Sequence, residues 1–196
     1  MRTSTFLAGA TAAVLTGCVV TSVCPYYSEK DLVTEPAMVG SWSNTKNPGE
    51  TWKFEKWTNF AYRLTLAEPS KTTVMEAHAF KLNGQLFLDI FSLEQDYHVI
   101  PAHYLLKVEQ TAPTLKFSEL DDGWLKSFLT NKPTAIAFHI LNADDPAASR
   151  VVLTADTSSV QSFVVRHLDT PGAWRDACEL RRESSAVETA QLKGAL

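Results

Sequence analysis

Asp89 and His103 are the two side chains of this sequence best suited to work together. Asp89 shares its period-two face with Phe87 and Phe91. A lone carboxylate in such surroundings is costly, so it takes up a proton or finds a partner. His103, between Pro101 and Leu105 on a neighbouring predicted strand and followed by Tyr104, is one such partner. Read functionally, Phe87, Asp89, His103 and Tyr104 surround a ligand pocket in which the pair anchors a ligand or acts as acid and base. Read structurally, the pair is a satisfied buried contact, and the residue types alone leave both readings open. An enzymatic reading needs a third polar group converging with these two in an open cleft. His78 and His98 lie on adjacent predicted strands, but no spacing among these groups requires a metal, and none is expected. The chain has no Gly-rich phosphate loop, His-Glu-x-x-His, Cys-x-x-Cys or Gly-x-Ser-x-Gly, so no catalytic residue and no cofactor are assigned. With 18 basic and 22 acidic residues and no basic stripe, nucleic acid is not an expected partner.

The first eighteen residues carry a different kind of chemistry. Arg2 precedes an apolar run of small and aliphatic residues from Phe6 to Leu15, too short for the ~20 residues that span a bilayer. It ends in Leu15-Thr16-Gly17-Cys18. That tetrapeptide resembles the lipobox of bacterial lipoproteins at all four positions. The resemblance implies a signal peptide over 1–17, cleavage before Cys18, a diacylglyceryl group on its sulfur and acylation of the new amine. Several acyl chains on one residue suffice for stable anchoring. Val19, where enterobacterial inner-membrane lipoproteins carry Asp, implies the outer membrane, facing the periplasm. Cys24 and Cys178 would then be left in an oxidising compartment, either as free thiols or as a disulfide. A bond between them would close nearly the whole domain, worth at most on the order of 5 kcal/mol.

The elements that must position these residues are mostly strands. Trp52, Phe54 and Lys56 alternate with polar neighbours, as do Phe60, Tyr62, Leu64 and Leu66, which is the signature of half-buried antiparallel strands. Thr58-Asn59 joins this pair, and Asn83-Gly84 joins 74–82 to 85–91 with the strongest short hairpin signal. Further strands are expected at 39–43, 97–108, 114–118, 134–141 and 150–154. Asp121 or Asp122 can cap a short inserted helix through Leu125, Phe128 and Leu129. Asp156 or Ser158 can cap a second that carries Val160, Phe163 and Val164 on one face. A third helical turn is expected over 173–180. The Pro-containing stretch 18–36 reads as a lipidated tether, 37–182 as the domain and 183–196 as a flexible tail.

About eight or nine sequential strands in a chain of this size imply a mainly β fold, an antiparallel up-and-down barrel with an inserted helix and a C-terminal helix. Gly40-Ser41-Trp42 at the start of the first strand resembles the Gly-x-Trp signature of lipocalins. There the Trp closes one end of the barrel against a late basic residue, and Arg150 is the candidate for that role. Pro25-x-Tyr27, Asp31-Leu32-Val33, Glu35-Pro36, Phe87-Leu88-Asp89 and Pro101-x-His103 further resemble uncharacterised bacterial lipoproteins with such a barrel. The interior aromatics either line a cavity or fill it. Two functions follow as expectations. One is a membrane-anchored module holding a small hydrophobic or amphipathic ligand. The other is an envelope structural protein with a filled barrel that contacts a protein partner.

Overall fold

The computed structural model describes residues 19–93, 102–111, 113–145 and 148–183. Cys18, His98, the leader 1–17, the first part of the expected 97–108 strand and 184–196 of the expected tail lie outside them. The elements are β1 (Thr21–Ser22), β2 (Gly40–Asn44), β3 (Thr51–Lys56), β4 (Ala61–Ala67), β5 (Thr72–Leu82), β6 (Gln85–Ser92), β7 (His103–Gln110), β8 (Thr114–Leu120), α1 (Asp122–Asn131), β9 (Phe138–Leu141), β10 (Arg150–Leu153), α2 (Thr157–Arg166) and β11 (Trp174–Arg182).

Eight of these strands form a closed antiparallel barrel of the expected lipocalin-like kind. β2 to β8 pair in sequence order, and β11 lies between β8 and β2 to complete the ring. Local chemistry sets much of this meander. Asn83 and Gly84 take φ of 49° and 81°, the two left-handed positions of a tight hairpin, and Leu82 faces Gln85 across it. The side chains of Asp121 and Asp156 accept from the backbone N–H groups of Trp124 and Ser159, capping α1 and α2 as their sequences predict.

The strands bury two cores, one on each face. Inside the barrel, Trp42, Trp52, Phe54, Tyr62, Leu64, Leu88, Leu106, Leu115, Phe117 and Leu180 pack together. On the outside, Phe80, Phe87, Leu105 and Leu120 lie beneath Val20, Tyr26, the helices and the β9–β10 hairpin. β5, β6 and β7 are therefore covered on both faces along part of their length.

Several expectations are corrected here. Residues 19–36 are no loose tether: β1 pairs with β7 and β10, Tyr26 is fully buried, and Val33 N–H donates to the Ala79 carbonyl. β9 and β10 lie outside the ring and extend the sheet from β7 through β1. The strand that completes the ring is β11, where helix was expected, so α2 precedes the final strand and is not C-terminal. Helix-favouring residues in 174–182, and a bulge between Asp176 and Cys178 that breaks the alternation, conceal the strand. The unpaired edges of β8 and β2 nevertheless draw it in. Cys24 and Cys178 are both free thiols: Cys178 points into the barrel, whereas Cys24 follows β1 on the outside.

Trp42 stoppers one end of the barrel as the lipocalin resemblance implies, but its basic partner is Arg182. The Arg182 guanidinium lies 4.7 Å from the Trp42 ring centroid and its Nη2 donates to the carbonyls of Ala37 and Val39, at 2.8 and 3.1 Å. Arg150 is exposed on β10, which pairs with β9 away from this end. Gly40 is required beside this contact, since its φ is +135° and an added Cβ would sit 3.0 Å from Arg182 Nη1. Arg182→Ala is expected to lower stability by about 1 kcal/mol, the range of an exposed cation–π contact, and Arg150→Ala to leave it unchanged. Paired urea melts check this.

Candidate functional site

The stopper fills only one end of the lumen. At that end Trp42 Nε1 donates to the Met38 carbonyl at 2.8 Å, and Met38, Phe54 and Tyr62 close the space around the indole. At the opposite end, where β2 ends and β3 begins, the barrel opens into a cavity of about 220 Å³. Trp52, Leu66, Met75, Ile90 and Leu106 form its apolar wall. Asn44, Tyr104, Glu119 and Cys178 add polar groups, and Lys46 and Asn47 stand at the rim.

Each acidic group at this mouth already accepts hydrogen bonds from its own neighbours. Glu50 accepts from Trp52 Nε1 at 2.6 Å, from Asn44 Nδ2 at 3.0 Å and from Asn47 Nδ2 at 3.2 Å, which pins the β2–β3 loop over the opening. Glu119 accepts from the Tyr104 hydroxyl and pairs with Arg175 Nη2 at 2.6 Å. Burial, reinforced by the Glu119 charge, holds the Tyr104 phenol well above its ordinary range, so it stays a donor. Burial likewise pushes the Cys178 thiol far up, with the negative charges of Glu50 and Glu119 adding to the effect. A thiol so placed is a poor nucleophile. The mouth thus offers an apolar shaft, hydrogen-bonding groups and the Lys46 cation, which makes no ion pair among the described residues.

The four residues expected to share a pocket are divided between the two faces of the sheet. Tyr104 lines the cavity. Phe87, Asp89 and His103 point outward, and the alternation of strand side chains requires this, because one residue's step along β7 moves from one face to the other. Asp89 and His103 do meet, with Oδ1 to Nδ1 at 2.7 Å and Asp89 fully buried. Oδ2 accepts from the Tyr26 backbone N–H at 2.8 Å. The pair therefore clamps the N-terminal segment onto the barrel. Tyr27 covers the neighbouring His78 ring at 4.6 Å, and its phenol is pushed up to about 12 by burial, then by Asp89 and Glu76. His78 bonds Glu76 at 2.7 Å, and no cluster of metal-ligating groups occurs among the described residues. Trp124, on α1, stacks on Phe128 and meets His167 and Phe163, so it staples the two helices.

No motif marks Asn44, Glu119 or Cys178 as pocket residues, yet two of them carry a readable signal. Glu119 continues the inward series Leu115, Phe117, and Asn44 follows Trp42, so each is a polar residue at an inward period-two position. No family model, no curated protein and no solved structure matches the chain.

Two outcomes are expected from this geometry. Asp89→Ala strands the His103 ring and the Tyr26 N–H, costing about 3 kcal/mol, and amide exchange should rise across 20–33 before it rises in β3 and β4. Cys178 should resist alkylation at neutral pH in the folded protein and react once it is unfolded, as peptide mass mapping would show.

Proposed function

We propose that the protein is a lipid-anchored binding module of the bacterial envelope that holds a small amphipathic ligand in the mouth of its barrel. The observation that carries the reading is the half-filled lumen: aromatic residues fill one end, and the other is left as an open cavity with an apolar wall and a polar mouth. At about 220 Å³ it exceeds the ~150 Å³ cavity that takes up benzene but falls below the usual range for drug-sized ligands. The size suits an acyl tail of modest length better than a bulky polycyclic. Lys46 at the rim favours an acidic head group, because Glu50 and Glu119 are already satisfied by their own donors. The lipobox-like Leu15-Thr16-Gly17-Cys18 supports the anchor, with Val19 favouring the outer membrane and a periplasm-facing domain.

A second reading, an interaction protein of the envelope, draws on the β3–β4 turn. Trp57 and Phe60 are 47% and 49% exposed there, at the stoppered end of the barrel. Paired exposed aromatics at a tip are suited to a protein partner.

Purified without detergent, the chain from Val19 onward should carry, or take up, one equivalent of a single-chain acid such as dodecanoate, read by native mass spectrometry and by the fluorescence of Trp52. Met75→Trp should fill the mouth and abolish uptake while the protein stays folded, and Lys46→Glu should weaken it several-fold. A protein that ignores fatty acids and lysolipids, yet loses a co-purifying protein on Trp57→Ala, would establish the second reading instead.

A further inference from the structure

The site at which the chain leaves the barrel bears on where the ligand comes from. Val19 is the first described residue, and it is held: it forms a β-bridge with Asp121, Val20 is buried, and Thr21 and Ser22 pair with Tyr104 and His103. Asp121 lies two residues beyond Glu119, a wall residue of the cavity, a separation of about 7 Å along a strand. Cys18 is one peptide unit from Val19, or 3.8 Å between Cα atoms. With about 5 Å more across the bridge, whatever Cys18 carries is thus attached within about 16 Å of the cavity wall. A free tether over 18–36 would instead have an end-to-end distance of about 25 Å and leave the domain's orientation open.

We infer that the mouth end of the barrel rests on the leaflet that holds the Cys18 lipid, so that the cavity receives a single-chain amphiphile with an acidic head directly from that leaflet. This rests on the proposed lipidation of Cys18. The bilayer is the occupant of this end because the chain outside the structure departs there and is joined to it by a single peptide unit. The β3–β4 turn with Trp57 and Phe60 lies at the other end of the seven-residue strand β4, roughly 20 Å away, and faces the aqueous space. Lys46 stands at the mouth, where an acidic head emerging from the leaflet would meet it.

The test uses the full lipoprotein in vesicles of phosphatidylethanolamine and phosphatidylglycerol carrying a nitroxide-labelled phospholipid. Fluorophores are placed at Ser70→Cys, in the turn between β4 and β5 at the mouth, or at Asn59→Cys, in the opposite turn, each with Cys24→Ser. Several-fold stronger quenching at position 70 than at position 59 is expected. A long Gly-Ser segment inserted between Cys18 and Val19 should keep the protein on vesicles and bring the two signals together. Equal quenching without the insertion, or stronger quenching at position 59, would overturn the orientation while leaving the anchor intact. A wild-type chain that does not float with vesicles, and that behaves like Cys18→Ala, would overturn the anchor and the orientation with it.

Discussion

The outer face of β5, β6 and β7 cannot be left to water. Phe80, Phe87 and Leu105 project from it beside a carboxylate, and a barrel wall of that character requires a cover. The rest of the molecule outside the ring is that cover. The N-terminal segment lies across it, α2 packs on Tyr26 and the β9–β10 hairpin extends the layer, so the excursion between β8 and β11 becomes a second core. Asp89 helps set where the segment lies, since its buried carboxylate is satisfied by His103 and the Tyr26 N–H together.

The lumen is governed by a different constraint, the gradient from a filled end to an open one. Trp42, fixed by Met38 and covered by Arg182, leaves no room at its end, whereas Ala77 and Ala79 on β5 give way to Met75 and the polar ring of Asn44, Tyr104 and Glu119 at the mouth. Because the same N-terminal segment satisfies Asp89 and bridges Asp121, the cover of one face also determines which end of the barrel stands nearest Val19. One segment thus covers the outer core and borders the mouth end of the barrel.

Features carried by neighbouring residues were legible from the sequence alone. The period-two strands, the Asn83-Gly84 hairpin with its register, the caps at Asp121 and Asp156 and the meander they imply all follow from short-range sterics and hydrogen bonding. The same holds for the Gly40-x-Trp42 stopper, for the expectation that Asp89 would find His103, and for the lipobox-like motif as a proposal for the anchor. Tertiary structure alone decided the long-range questions. It turned Asp89 and His103 outward and left Tyr104 inward, because sidedness depends on which face the ring closes around. It chose Arg182 over Arg150 and made 174–182 a strand, because two unpaired edges far apart in sequence outweigh local helix propensity. It left Cys24 and Cys178 apart and converted an expected tether into a wall, because burial of an apolar face is a property of the assembled barrel that no local window of residues contains.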